Sequence, residues 1–199
     1  MDPKPWNDKY DTPNYVYTKD VNQFVVEFVK DLAPGTAIDL AGGEGRNAVW
    51  MAEQGWVVEN IDFAENALKK YHLLAEERGV ADRCISTCQS ALEFTSQLAP
   101  VDLAVVAYLH IYSHQFEVAM ANAVAALKPG GIYVIADHRA PAGAGIAAGR
   151  ELHRIDEAIV VREGTAVDLS KSPEQFAAFL QEDAKFWVKL VKSAGVKLD

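Results

Sequence analysis

Residues 36–62 read TAIDLAGGEGRNAVWMAEQGWVVENID, and this stretch decides the fold. It begins with a run of strand-forming residues, 36–40, which leads directly into a glycine-rich turn. A helical spacing of apolar residues follows and ends at Gly55, since glycine favours the C-terminal boundary of a helix. A second strand over residues 56–61 then ends on the carboxylate of Asp62. This order of elements predicts an α/β fold with a mostly parallel sheet.

The predicted turn is suited to a ligand that carries a nucleoside. Glycine lacks a Cβ atom, so Gly42, Gly43 and Gly45 would let a ligand approach the backbone closely. The following helix presents unpaired N–H groups toward the same place. Asp62 would lie beside the turn and could accept hydrogen bonds from two ribose hydroxyls. In open α/β sheets such a site lies outside the carboxyl ends of the strands, where the strand order reverses.

Two enzyme classes share this arrangement. Residues 43–48, GEGRNA, satisfy G-x-G-x-x-G/A, which also occurs in nicotinamide-dependent oxidoreductases. The stretch IDLAGGEGRNAVWMAEQGW resembles more closely the first motif of class I S-adenosylmethionine-dependent methyltransferases, in which an acidic residue, here Asp39, precedes the turn. It is most similar to the small-molecule branch with tellurite- and thiopurine-type enzymes, where Gly-x-Gly-Arg-Asn is common. This resemblance implies a Rossmann-like sheet with helices on both faces and S-adenosylmethionine as cofactor.

A second marker of that family lies about eighty residues further along the chain. Residues 127–131, LKPGG, precede a predicted strand over residues 132–136. Pro129 would stop a helix over residues 114–127, and the glycine pair would turn the chain into the sheet. Because the two markers occur in the expected order, the methyltransferase interpretation is favoured over the oxidoreductase one. A non-catalytic cofactor-binding protein on the same fold stays a third interpretation.

Composition excludes several classes of protein. The chain has 199 residues, of which 50% are hydrophobic, and a formal charge of −9. Its length suits one domain with a good core, and its acidic balance disfavours nucleic-acid binding. It has no apolar run of membrane-spanning length and no apolar signal region at the start, so we expect a cytoplasmic protein without a membrane partner. Cys84 and Cys88 lack a partner cluster, so we expect two buried thiols and no metal site.

Residues 1–34 are expected to form a flap followed by a helix. Segment 6–17 is aromatic and turn-rich, which indicates a flap rather than a core helix. Residues 20–32 have the spacing of an amphipathic helix. Its predicted apolar face consists of Val21, Phe24, Val25, Phe28 and Leu32. In the methyltransferase branch that the chain resembles, a W-x-x-x-Y segment such as Trp6 to Tyr10 folds over the cofactor. The alternative is that these aromatic residues only cover apolar surface.

The resemblance implies a cofactor site within a core of residues 35–139. Gly43 and Gly45 would shape the turn, Asp62 would hold the ribose, and Asp39 would orient the methionine end. Ser90 stands where many relatives carry an Asp that bonds the adenine amino group, so that contact would be weakened or moved, to Gln89 or to backbone. The expected cofactor-binding residues are Trp6, Tyr10, Tyr17, Asp39, Ala41, Gly42, Gly43, Gly45, Arg46, Asn47, Asp62, Phe63, Gln89, Ser90, Ala91 and Ala107.

Candidate catalytic residues follow a predicted buried strand, residues 101–107, VDLAVVA. In the family, residues just after this strand line the meeting point of cofactor and substrate. Tyr108 and His110 are therefore expected to contact the substrate or to act as general base. A hydrogen-bonded structural role for His110 is the alternative. The implied reaction is in-line methyl transfer to a small-molecule nucleophile, for which the enzyme supplies proximity and alignment without a metal.

Residues 140–199 depart from this pattern. Residues 137–158 are similar to another methyltransferase branch, in which a glycine loop, here 140–149, would form a lid. Asp137, His138, His153 and Arg154 would then line the pocket, and the alternative is a solvated connector. Residues 172–199 resemble the terminal helix of periplasmic solute-binding receptors from tripartite tricarboxylate transport systems, without their ligand-binding parts. We expect an atypical or incomplete C-terminal strand pair, whose exposed sheet edge a homodimer would cover.

Overall fold

The computed structural model describes residues 2–109, 111, 113–136, 138–140 and 154–156. Residues 1–137 form one compact unit, and residues 138–199 form a second. The predicted catalytic residue His110 lies outside the described residues. The same is true of most of the predicted lid, of Asp137 and His153, and of residues 172–199, which resemble a receptor's terminal helix and are predicted to be helical from Ser172 to about Ser193.

The first unit is built on a sheet of five parallel strands with the order β3-β2-β1-β4-β5. The strands are β1 (Thr36–Leu40), β2 (Val57–Asp62), β3 (Cys84–Cys88), β4 (Val101–Ala107) and β5 (Leu127–Ala136). The strand order reverses between β1 and β4, so a crevice is expected at their carboxyl ends. These two central strands are almost completely buried, as suits a parallel sheet that is covered on both faces.

Helices cover both faces of this sheet, which confirms the predicted fold class. They are α1 (Lys4–Tyr10), α2 (Gln23–Val29), α3 (Arg46–Glu53), α4 (Glu65–Glu77) and α5 (Ser113–Ala125), with a 3₁₀ turn at Ala81–Arg83. Side chains of α2, α3 and α4 form one core cluster with residues such as Val58 and Leu103. Side chains of α5 form a second cluster with the alternate strand residues, such as Leu40 and Val106. The alternation follows from the two-residue period of a strand.

The N-terminal segment differs from its prediction. Residues 4–10 form helix α1, with Tyr10 buried, where a flap was expected. Helix α2 begins at Gln23, because Asn22 caps it by accepting a hydrogen bond from the backbone N–H of Phe24. Its buried residues are Val25 and Val29, whereas Phe28, placed on the predicted apolar face, is exposed. Val25 of the predicted face is buried, and Val21 and Leu32 pack against the core. The predicted face is therefore confirmed at these positions and wrong at Phe28.

Two further predictions need correction. Cys84 is buried, but Cys88 is exposed, because it is the last residue of the edge strand β3 and lies at the open rim of the sheet. Helix α5 ends at Ala125, before LKPGG, and β5 begins at Leu127, which pairs with Val101. The sequence LKPGG thus belongs to an irregular first part of the strand, with a register shift and a left-handed φ at Gly130.

The second unit contributes two short described strands. Strands β6 (His138–Ala140) and β7 (Arg154–Asp156) pair in parallel, with His138 opposite Arg154. Among the described residues of both units, no helix is long and apolar enough to cross a membrane.

Candidate functional site

The glycine turn lies between β1 and α3, where the strand order reverses. Its backbone has left-handed φ values at Ala41 (56°), Gly43 (57°) and Gly45 (81°). Glycine adopts such values freely, whereas alanine does so with strain. At the end of the neighbouring strand β4, Tyr108 also has a left-handed φ of 57°. Because such non-glycine residues concentrate at functional sites, Ala41 and Tyr108 mark the ends of β1 and β4 as a candidate site.

Asp62 ties the end of β2 to this turn. Its Oδ2 accepts a hydrogen bond from the backbone N–H of Gly43 at 2.9 Å, and its Oδ1 accepts one from Ala64 at 2.8 Å. Burial raises the pKa of this carboxyl to about 6, and the N–H groups of Ala64, Gly43 and Phe63 partly oppose that shift. Each carboxylate oxygen can accept a further hydrogen bond, so Asp62 keeps acceptor capacity beside the turn.

Asp39 and Asn60 place unsatisfied oxygen atoms beside Gly42. Both side chains are fully buried, and neither the carboxylate oxygens of Asp39 nor Oδ1 of Asn60 have a hydrogen-bond partner of regular geometry. A Cβ atom on Gly42 would lie 2.5 Å from Oδ1 of Asn60 and 2.6 Å from Oδ2 of Asp39. Burial raises the pKa of Asp39 to about 7, which the nearby Ala48 N–H and Arg46 guanidinium only partly offset. Buried acceptors without donors are costly, so a ligand that donates hydrogen bonds to them would stabilise this site.

The aromatic N-terminal residues lie against the same turn. Tyr10 is 5% exposed, and its hydroxyl oxygen is 2.9 Å from the position that a Cβ atom on Gly43 would occupy. Burial first, and the charge of Asp62 next, raise the pKa of Tyr10. Trp6 stacks on Tyr10 with ring centroids 6.0 Å apart. Tyr17 is more exposed, at 44%, and the ammonium group of Lys9 lies over its ring.

Glu44, inside the turn, was not singled out from the sequence. Its buried carboxylate forms an ion pair with Lys70 of α4, with 2.9 Å between Oε1 and Nζ. It also accepts hydrogen bonds from the backbone N–H groups of Val16 and Tyr17. Asn47, predicted to bind the cofactor, directs Oδ1 to the backbone N–H of Asn22 at 3.0 Å. Glu44 and Asn47 of the G-E-G-R-N motif thus bind the N-terminal segment through hydrogen bonds. The motif alone does not indicate this role.

The segment after β3 uses its polar side chains locally. Ser90 Oγ accepts a hydrogen bond from the backbone N–H of Leu92 at 3.2 Å. Gln89 Oε1 accepts one from the N–H of Thr95 at 2.7 Å. Ala91 is buried in the core cluster on the α5 face of the sheet. Gln89 and Ser90 are both expected to bind the cofactor. The side-chain oxygen of each already accepts one backbone hydrogen bond.

Arg46 and Tyr108 meet at the carboxyl ends of β1 and β4. The Arg46 guanidinium carbon lies 5.7 Å from the centre of the Tyr108 ring, a cation–π distance. The backbone N–H of Tyr108 donates to the carbonyl of Ala136 at 2.8 Å, which joins it to β5. Ala107 and Phe63, also predicted to bind the cofactor, are partly buried against the cores beside this site.

The structure thus brings the glycine turn and the aromatic N-terminal residues together at the edge of the sheet where β1, β2 and β4 have their carboxyl ends. In the described part of the chain, no group of three or more His, Cys, Asp or Glu side chains could hold a metal ion. Asn60, Glu44 and Lys70 are the site residues that the sequence reasoning missed. Glu44 lies in the turn itself, but no local motif indicates its buried ion pair, and only the fold brings Asn60 and Lys70 to the turn.

Residues 37–131 match the model of a protein family described as a methyltransferase domain. Among curated proteins, no match of significant similarity is found. Among solved structures, the glycopeptide N-methyltransferase MtfA, complexed with S-adenosyl-L-methionine, aligns at 21% identity with a TM-score of 0.53, over 61% of this chain and 51% of that one. A geranyl diphosphate methyltransferase, in complex with GPP and sinefungin, aligns at 20% identity and a TM-score of 0.51. The alignment covers 58% of this chain and 44% of that one.

A third structure, described as the conversion of a disulfide bond into a thioacetal group during echinomycin biosynthesis, gives a TM-score of 0.61 at 18% identity. That alignment covers 74% of this chain and 64% of the other protein. The chain thus spans less than two thirds of each of these three neighbours, and at such identities the likeness concerns the fold. The first unit has the class I methyltransferase fold, and residues 37–131 within it match a methyltransferase domain.

Proposed function

We propose that this protein transfers a methyl group from S-adenosylmethionine to a small-molecule nucleophile. The observation that carries the proposal is the Asp62 carboxylate, which is bonded to the glycine turn at the point where the strand order reverses. The match of residues 37–131 to a methyltransferase domain supports it. Neighbours of the same fold bind S-adenosylmethionine, its demethylated product or sinefungin.

The charges of the turn favour this cofactor over a nicotinamide dinucleotide. Asp39, Asn60 and Asp62 present oxygen acceptors, which suit hydroxyl, ammonium and sulfonium groups. A pyrophosphate instead needs backbone N–H donors. The N–H of Gly43 already donates to Asp62, and that of Gly45 bonds within the turn. The residues present therefore fit a cationic, donor-rich cofactor.

Each residue of the turn would then have a definite role. Asp62 would accept hydrogen bonds from the ribose hydroxyls with its remaining lone pairs. Asp39, together with the turn backbone, would orient the methionine end, and the cation of Arg46 would balance its carboxylate. Tyr10 and Trp6 would cover the cofactor from the N-terminal side. Gln89, Ser90 and Ala91 would face the adenine. Its amino group would have to bond to the side-chain oxygens of Gln89 or Ser90, which already accept backbone hydrogen bonds.

The bound cofactor would supply an electrophilic methyl group on a sulfonium centre. The contribution of the protein is to hold the acceptor in line with that methyl group and to exclude water, which lowers the entropic part of the barrier. Tyr108, which has a left-handed φ at the end of β4, would line the place where the acceptor meets the cofactor. A general-base role for His110 stays a prediction.

Two observations support a small-molecule acceptor. The glycine-turn motif resembles that of the small-molecule methyltransferase branch, and a geranyl diphosphate methyltransferase is among the neighbours of this fold. The predicted homodimer and cytoplasmic location stay predictions. Light scattering of the purified protein after size-exclusion chromatography tests the first of them.

Calorimetric titration with S-adenosylhomocysteine, with NADH as the control ligand, tests the cofactor. We expect micromolar binding of the first and none of the second. Asp62→Ala should weaken binding by about 1–3 kcal/mol, since the ribose hydroxyls lose their acceptor. Glu65→Gln, at an exposed carboxylate three residues away, is the matched control and should bind normally. Binding of NADH alone, or unchanged affinity in Asp62→Ala, would contradict the assignment.

A further inference from the structure

The N-terminal strap, which we define as residues 6–22, is fastened to the site at several points. Asn7 near its start accepts two hydrogen bonds from Asn66 at the beginning of α4, one from the backbone N–H and one from the side-chain amide. Asn22 at its end donates its backbone N–H to Asn47, at the beginning of α3. Between these ends, the strap passes the glycine turn, where Tyr10 lies against Gly43. The strap is therefore held by the same two helix starts that flank the site.

The centre of the strap is fastened by the Glu44–Lys70 ion pair. The Glu44 carboxylate accepts from the backbone N–H groups of Val16 at 2.9 and 3.0 Å and of Tyr17 at 3.1 Å. Lys70 Nζ donates to the carbonyl oxygen of Asn14 at 2.6 Å and to Oγ1 of Thr12 at 3.2 Å. Both charged side chains are at most 10% exposed.

This arrangement makes closure of the strap and the conformation of the turn dependent on each other. A buried ion pair is stable only when its remaining lone pairs and protons are satisfied. Here the strap provides those partners, so its departure would leave both charges with unpaired hydrogen-bonding groups. Glu44 contacts the strap from its position between Gly43 and Gly45, whose left-handed φ values define the conformation of the turn. A ligand that orders the turn must therefore also favour the closed strap.

We propose that the Glu44–Lys70 pair is a latch that couples closure of the N-terminal strap to occupation of the glycine turn. The proposal rests on the proposed function, because S-adenosylmethionine or its product is the occupant. Both residues are positioning residues, since they act through the strap and the turn. By linkage, the cofactor stabilises the closed strap to the same extent that the closed strap tightens cofactor binding. The latch should thus act mainly on the rate of cofactor release.

The test compares Lys70→Met with Lys69→Met. Lys70 forms the buried pair, whereas the neighbouring Lys69 forms an exposed pair with Glu65, so the same substitution serves as a matched control. Hydrogen exchange of the Val16 and Tyr17 amides reports strap closure, with and without S-adenosylhomocysteine. Stopped-flow measurement of intrinsic tryptophan fluorescence, to which Trp6 in the strap contributes, reports release of that ligand. We expect faster amide exchange and at least tenfold faster release in Lys70→Met only, with restoration in Lys70→Arg.

The double variant Glu44→Gln/Lys70→Met covers a failure of Lys70→Met to fold, because it removes both charges together. It should show the same exposed amides and fast release. If either folded variant keeps wild-type exchange and wild-type release, the latch is overturned while the cofactor assignment stands. If the wild-type protein binds no S-adenosylhomocysteine, the proposed function and the coupling both fall. Equal loss of binding in Lys69→Met would also overturn the latch, because the effect would then not require the buried pair.

Discussion

At the scale of single residues, the turn depends most directly on Gly45. Its φ of +81° is left-handed, and a Cβ atom there would overlap the side chain of Tyr71, which is fully buried in the core. Gly79 has a similar φ of +69°, but nothing lies within 4 Å of the place where its Cβ would be. The two glycines therefore separate the effect of backbone strain from the effect of crowding.

Gly45→Ala should destabilise the protein more than Gly79→Ala does. We expect Gly79→Ala to lower the free energy of unfolding by about 1 kcal/mol, the cost of a left-handed alanine. Gly45→Ala adds the cost of overpacking, about 1–3 kcal/mol, since Tyr71 cannot move freely. Urea denaturation of both variants measures the difference. Equal midpoints would show that the core beside the turn absorbs a methyl group without cost.

At the scale of elements, the segment between β3 and β4 is held by one carboxylate of β2. Glu59 is fully buried and accepts hydrogen bonds from Thr87 of β3, from Ser96 Oγ at 2.6 Å, and from the backbone N–H groups of Gln97 and Leu98. These donors satisfy a buried charge that would otherwise be costly. Gln89 and Ser90 belong to the same connection. Glu59 would therefore also help to position the proposed adenine-binding residues.

Glu59→Gln is expected to loosen this connection. An amide NH₂ cannot accept the hydrogen bonds that the lost carboxylate oxygen accepted, so at least one donor of the segment is left unpaired. The free energy of unfolding should fall by about 1–3 kcal/mol. Denaturant unfolding checks this, with Glu93→Gln at an exposed carboxylate in the same segment as control. The interpretation fails if the two variants unfold at the same denaturant concentration.

At the scale of the whole molecule, the site makes stability depend on pH. The pKa values of Asp39 and Asp62 are raised to about 7 and about 6, mainly by burial. Between about pH 4 and pH 7, the folded protein therefore binds more protons than the unfolded chain. The sign of the linkage follows: the free energy of unfolding should fall as pH rises through this window. Asp39→Asn should flatten the dependence, as measured by urea denaturation at pH 5 and pH 7.

Cofactor binding should have the opposite pH dependence. Hydroxyl and ammonium donors bind the ionised carboxylates, so binding should release protons, and affinity for S-adenosylhomocysteine should rise between pH 5 and pH 7. Calorimetry in buffers of different ionisation enthalpy counts those protons. Proton uptake, or an affinity independent of pH, would mean that the carboxylates stay protonated in the complex.

The sequence by itself determined β1, β2 and β4, the glycine turn, Asp62 at its rim and the two family markers. These features are local, because a strand, a left-handed turn and a helix boundary each depend on a few neighbouring residues. It did not predict α1, the exposure of Phe28 in α2 or the exposure of Cys88, since packing on distant elements decides which side of a short helix or strand end is covered.

Only the tertiary structure decided which polar residues belong to the site. Glu44 reads as an ordinary turn residue until α4 brings Lys70 to it, 26 positions along the chain, and the strap brings Val16. Asn60 reads as a strand residue until its amide meets Gly43. The physical reason is that a buried polar group is stable only with its partners, and the fold, rather than the local sequence, brings those partners together.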